Sequence, residues 1–329
     1  MCALAFIAVY FILHLPPVFH DHWIKRTTQI DFPGAFLLIT ATSALLVGLD
    51  MGGNHSWKSP LTICLLASAL PLYLIFMYVE HNAKHPFAPS HVIFDRKLVS
   101  PFLSNFFAMG SYIALIFYVP LYFQAVEGLS STQAGVRLIP AIAASVTGSV
   151  GGGMIMQKTG KYYWLTLVAY CLMFIGQSGT LLFSGVIANS QAGIMVSLTV
   201  AALGGGTGVT TTLIALISQC DPADQAIVTA CSYLFRSLGS AVGVSLAATV
   251  MQTRLRQQLA MRLGEGPEVD TIVEGVKQSL AYLDKLTPEV RALVVKCYEK
   301  SVGAAFGFSC VLVLGAVIST CFLKEKRLT

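Results

Sequence analysis

Residues 151–162 read "GGGMIMQKTGKY", three glycines and then T-G-K, in a chain of 329 residues of which 55% are hydrophobic. The stretch has two readings, a phosphate-cradling loop or a turn between membrane helices. A P-loop requires G-x-x-x-x-G-K followed by Ser or Thr, with the first Gly five residues before the second. Here Ile155 takes the place of that first Gly and Tyr162 the place of the hydroxyl that would reach a metal. A second glycine cluster, "LGGGTGVTT" from Leu203 to Thr211, puts Thr211 where a dinucleotide fingerprint needs its third Gly. Neither is a nucleotide site, and the membrane reading is left.

Composition favours that reading. Charged residues make up 11% of the chain, against roughly 25% in a soluble domain, and mean hydropathy is +0.70. Apolar runs long enough to cross a hydrocarbon core of about 30 Å recur at 1–18, 33–52, 60–79, 102–123, 134–155, 163–184, 193–217, 226–251 and 302–323. Backbone groups in lipid must be satisfied within the segment, so these runs predict helices. The first run has neither a basic leader nor an A-x-A cleavage site and is read as a span. The sequence thus predicts an all-α polytopic membrane protein with about nine transmembrane helices.

Lys and Arg set the expected orientation. Lys25, Arg26, Lys84, Arg96, Lys97, Lys158, Lys161, Lys324, Lys326 and Arg327 fall in alternate loops and the C-terminal tail, while the opposite short loops hold only Lys58. This puts the T-G-K turn and the C-terminus in the cytosol. The exception is 252–300, expected outside as a solvated pair of amphipathic helices, with eight basic and seven acidic residues. Because the net charge of +5 follows largely from topology, it gives no reason to expect a nucleic-acid partner.

The six spans after Lys97 begin and end on one side, as a half built from three plus three inverted helices does. The T-G-K turn falls between the second and third helices of that block. At this place major facilitator proteins carry a cytoplasmic gating loop, G-x-L-a-D-r-x-G-r-k, and the stretch resembles it. On that pattern Gly153, Gln157, Lys158, Gly160 and Lys161 stand for the Gly, Asp, basic residue, Gly and Arg; Gln157 replaces the acidic member. "IDFPGAFLLITATSALLVGLDMGG", "FYVPLYFQAVEGLSSTQAGVRLIP", "DPADQAIVTACSYLFRSLGSAVGVSL" and "SLAYLDKLTPEVRALVVKCYEKSVGAAF" extend the likeness. Together these segments resemble the back portion of fungal fourteen-span drug:proton antiporters, a group that includes multidrug and toxin exporters and vacuolar basic amino-acid transporters.

The resemblance implies a partial major facilitator fold, with 1–18 the last helix of an incomplete N-terminal bundle, 19–97 two linker helices with cytosolic loops, and 98–329 a six-helix C-terminal bundle containing the external segment 252–300. It also implies that five helices precede the first span in the family, and that they come from a longer chain. Alternating access without chemistry on the substrate is implied, so no enzyme activity and no cofactor beyond a proton gradient. The expected function is proton-coupled export of a small-molecule drug or toxin across the plasma or vacuolar membrane. The alternatives are uptake of basic amino acids into the vacuole, and a truncated, non-transporting fragment that at most binds partner helices in the bilayer.

Site candidates follow from polar groups inside the spans, where a charge costs about 2.5–3.5 kcal/mol on insertion scales and so faces a cavity or a partner. Arg236 shares a small and polar stripe with Ser232, Thr229, Ser240 and Gly243; the competing reading is an Arg that snorkels to the headgroups. Asn105 and Tyr112 are seven residues apart and predicted on one face, with Tyr122 and Gln124 toward the outer end, and these join Arg236 and Ser232 as the expected substrate path. Ala144, Gly148 and Gly152, with Gly204 and Gly208, are expected packing positions, since small residues let helix backbones approach. His81 and His85 have zinc-helix spacing, but Asn82 cannot serve as the base, and the eight Cys include no C-x-x-C pair, so no metal site is indicated.

Overall fold

The computed structural model describes residues 31–54, 57–83, 90–263, 275 and 287–326. The expected span 1–18 lies outside them, as do His85 and Arg327. The described helices are α1 (Phe32–Asn54), α2 (Pro60–Asn82), a short α3 (Ser90–Ile93), α4 (Arg96–Ala125), a short α5 (Ser131–Val136), α6 (Ile139–Thr159), α7 (Tyr163–Phe183), α8 (Gln191–Gln219), α9 (Gln225–Leu263) and α10 (Pro288–Cys321). Among the described residues eight segments are long and apolar enough to cross a membrane, one for each expected span from the second onward.

Their ends are set by local chemistry. The Asp95 side chain accepts from the Lys97 amide at 2.9 Å and caps α4. Ser130 and Gln133 form a reciprocal capping box on α5, and Ser190 accepts from the Gly193 amide at 3.2 Å to start α8. Proline opens α2 and α10, where a missing amide hydrogen leaves no helical bond unmade. The T-G-K turn ends α6 at Gly160, whose φ of +65° is the left-handed conformation a glycine adopts without strain, with its amide donating to the Met156 carbonyl at 2.8 Å.

Packing follows the small residues. α8 lies between α6 and α7; α10 packs on α4, α7 and α9; α9 packs on α4; and the α1–α2 hairpin rests on α9 through α1. A Cβ on Gly204 would meet the Ala169 carbonyl and lie 2.6 Å from the Met173 amide nitrogen on α7, and one on Gly208 would lie 2.5 Å from the Tyr170 ring. On the other flank Gly148 abuts the Leu203 carbonyl and Thr207, Gly152 also abuts Thr207, and Ala144 packs at the edge of the main apolar cluster. The face of α6 that carries Val146, Val150 and Met154 is more than half exposed, at 60%, 58% and 55%, as a lipid-facing stripe is.

At the described ends of the segment 252–300, residues 252–263 continue α9 without a break and residues 288–300 open α10. Charged residues end an apolar run without ending a helix. At 39 residues and 1.5 Å per residue, α9 is about 58 Å long, nearly twice the hydrocarbon thickness.

Candidate functional site

A buried polar constellation forms where α4 crosses α9. Gly110 faces Gly239 and Gly243 there, and the approach is backbone to backbone: a Cβ on Gly110 would lie 2.6 Å from the Gly239 carbonyl oxygen, and one on Gly243 would strike the Gly110 carbonyl. This crossing brings Asn105 against Ser232, and the Asn105 amide donates to the Ser232 hydroxyl at 3.0 Å with both residues fully buried. One turn on, Arg236 donates from Nη2 to the Val209 carbonyl of α8 at 3.2 Å, and its guanidinium lies over the Tyr233 ring, 5.4 Å from the centroid. Beside it, Tyr170 of α7 shares a 2.9 Å hydrogen bond with Thr212 of α8.

Arg236 is 8% exposed. It sits eleven residues into α9 (236 − 225), about 16 Å from the helix start, so it engages neighbouring helices rather than snorkelling to the near surface. Its Nε and the Asn105 Oδ1 are buried without a hydrogen-bond partner among the described residues. Unengaged polar atoms in a buried helix junction are costly.

The other expected path residues are dispersed. Tyr112, half-buried, faces Ser145 of α6 and lies against Gly205 of α8, so it and Asn105 engage different helices despite their shared spacing. Tyr122 is fully buried in the apolar cluster at the opposite end of the bundle from Gly160. Its hydroxyl donates to Asn189 Oδ1 at 2.8 Å, and its ring lies 6.3 Å from that of Phe306. Gln124 braces the α4–α5 turn, donating to the Pro120 carbonyl at 3.3 Å and accepting from Ser131 at 3.0 Å. The polar atoms of Tyr122 and Gln124 are thus engaged in local structure.

In the expected gating loop, Gln157, Lys158 and Lys161 are exposed, and an added Cβ at Gly153 would meet nothing within 4 Å. The anchor of this loop is the neighbouring Tyr162, which the sequence reading passes over. Fully buried, it donates to the Lys324 carbonyl at 2.8 Å and accepts from the Lys326 amide at 2.8 Å and from Gln219 Nε2 at 3.1 Å. The loop, the end of α8 and the C-terminal tail meet on one phenol oxygen. Also unforeseen is a buried node where Ser111 of α4 donates to Gln177 of α7 at 2.6 Å and reaches the Ser309 carbonyl of α10 at 2.8 Å. Both nodes join residues more than 60 apart in sequence, and no periodicity announces such pairs.

Comparison with known proteins places this architecture. The vacuolar membrane amino acid uptake transporter fnx2 of Schizosaccharomyces pombe is 34% identical across 100% of this chain and 56% of its own length. The multidrug resistance protein fnx1 of the same yeast is 31% identical across 99% of this chain and 62% of its own, and vacuolar basic amino acid transporter 2 of Saccharomyces cerevisiae is 31% identical across 92% and 65%. The chain thus spans a little over half to about two thirds of the length of these relatives. Among solved structures, a bacterial homolog of the human lysosomal transporter Spinster, inward-facing and unoccupied, superposes with a TM-score of 0.56 at 13% identity, over 90% of this chain and 68% of the other; at that identity the likeness concerns the fold. A sequence model of the Major Facilitator Superfamily, a family of transporters rather than enzymes, matches residues 27–244. With eight described spans, a six-helix bundle and that match over most of its length, the chain belongs to the major facilitator superfamily.

Proposed function

We propose that this chain supplies the C-terminal bundle of an alternating-access transporter that exports a small drug or toxin molecule in exchange for protons, with the substrate passing beside Asn105, Ser232 and Arg236. The observation that carries the reading is the α4–α9 junction, where Arg236 and Asn105 each present a buried, unengaged polar atom inside the spans. A dry site with few fixed polar groups suits a mostly apolar cargo oriented by one or two contacts. The membrane is the plasma or vacuolar membrane, with the Gly160 turn and the C-terminal tail on the cytosolic side. The partners are the bilayer, the substrate and the helices that precede this stretch in the relatives.

A second reading, amino-acid uptake into the vacuole, is favoured by the names of two relatives and by the Arg236 guanidinium, whose fork matches a carboxylate. The third is a non-transporting fragment. Vesicles reconstituted with the protein, given a pH gradient and offered either a labelled lipophilic drug or labelled lysine, separate the three. Gradient-dependent movement of drug supports export, movement of lysine alone supports the second reading, and movement of neither sinks both.

A further inference from the structure

At the end of the bundle opposite Gly160, α9, α10 and the α7–α8 turn enclose a cavity of about 710 Å³. Arg254, Gln258 and Arg262 reach it from α9 at four-residue steps, which is one helix face. Lys296, Glu299 and Lys300 reach it from α10. Four cations against one carboxylate leave a formal excess of +3 in a bowl the size of an ordinary small-molecule site. The floor stays open because Gly303 and Ala304 line it. The Glu299 carboxylate occupies the place where a Cβ on Gly185 would stand, a position whose φ of +108° suits glycine.

The four cations of the bowl are all exposed to solvent, and two observations bear on what it can hold. Arg256 and Arg291, on neighbouring turns, each have an interaction partner, whereas among the described residues none of the four cations in the bowl makes an ion pair or a side-chain hydrogen bond. The cluster also runs against the charge rule that accounts for the other loops: on the orientation the Lys and Arg distribution gives, it lies on the non-cytosolic side. Topology therefore does not explain it. The length of α9 carries these turns beyond the hydrocarbon, to headgroup level and the water above it.

We propose that the bowl binds a multivalent, phosphate-bearing anion. Each guanidinium fork matches phosphate oxygens, and the two lysines add mobile point charges. A single carboxylate ligand would neutralise one charge of three, while a phosphate monoester or oligophosphate offsets most of the excess. Two sources share this chemistry, the headgroup of an anionic lipid and a free phosphate compound in the non-cytosolic space.

The test is the melting temperature of the purified protein. One arm adds tripolyphosphate in neutral detergent, with ionic strength matched by sodium chloride. The other compares nanodiscs of phosphatidylcholine with nanodiscs that also hold phosphatidic acid. Occupancy well above Kd raises Tm by about 3 °C or more. That rise should be kept in Arg256→Gln and lost in Lys296→Gln/Lys300→Gln, or in Lys300→Gln alone should the double variant not fold. A rise with tripolyphosphate identifies a free ligand, and a rise confined to phosphatidic acid identifies a lipid. No rise in either arm overturns the proposal, and is the result expected if the bowl is neutralised by the chain's own acidic stretch, which holds Glu265, Glu268, Asp270 and Glu274. A rise of equal size in the lysine variants overturns it as well.

Discussion

The hydroxyl of Tyr162 donates to the carbonyl oxygen of Lys324 at 2.8 Å, tying the turn between α6 and α7 to the tail that follows α10. The same oxygen accepts from Lys326 and Gln219, so one buried atom holds three partners. Tyr162→Phe keeps the ring and deletes that oxygen. Gln219 Nε2 still donates to the Lys324 carbonyl at 2.9 Å, so the Lys326 amide is the group left to find water, and the expected cost is about 1–3 kcal/mol. Limited proteolysis should cut the tail after Cys321 several-fold faster in the variant; equal rates would show that the tail is held by something else.

The α4–α9 crossing admits no side chain. Gly110→Val and Gly239→Val each drive a branched group into a facing carbonyl, and each should cost more than about 3 kcal/mol, seen as loss of the monodisperse peak in detergent. Gly151→Ala, at a helical position where an added Cβ meets nothing within 4 Å, should leave the elution profile unchanged and keep or slightly raise Tm. Similar behaviour of all three would mean that the helices do not cross where the structure puts them.

Arg236 should separate stability from activity. A buried cation with a backbone carbonyl and an aromatic face for company is held at some cost. Arg236→Met is therefore expected to fold with an equal or higher Tm, within about 1–3 kcal/mol, while gradient-driven transport in vesicles drops at least tenfold. Arg236→Lys should fail to restore it, since an ammonium lacks the planar fork. Transport at the normal rate in Arg236→Met would make the residue a helix clamp only.

Tyr122 and Gln124 should behave in the opposite way. Tyr122→Phe loses the bond to Asn189 and about 1 kcal/mol, and Gln124→Ala loosens the α4–α5 turn. Neither should change the substrate range or the apparent KM, because neither side chain lies at the α4–α9 junction. A shift in substrate preference in either variant would place them on the path.

What the sequence discloses here depends on the range of the signal. Hydropathy runs locate every described span, because a 30 Å apolar barrier imposes the same length on each helix wherever it sits. The small-residue stripe of α8 is legible for a similar reason, since its four-residue period is local. Helix ends past the apolar run are not, and α9 continues through Arg254, Arg256 and Arg262 because charged residues are good helix formers. Tyr162 and Gly110 escape notice for a different reason: each is defined by a partner more than 100 residues away. Spacing alone assigns Asn105 and Tyr112 to one face, yet α4 meets α6, α7, α8, α9 and α10, and a seven-residue step does not say which of them each side chain meets.

The length of α9 has a mechanical consequence. Crossing Gly110 at Gly239 and packed further along on α10 through Met251, Leu255 and Leu259, the helix can tilt only together with α10, with Arg236 less than one turn to one side of the crossing and Arg262 twenty-three residues, about 35 Å, to the other. A tilt of about 5° that sweeps the far tip through about 3 Å moves Arg236 by only a fraction of an ångström. The two arms are so unequal that the tip is the place to push: a modest force there exerts high leverage on the junction, and a label on Arg262 would magnify rotations that are nearly invisible at the crossing.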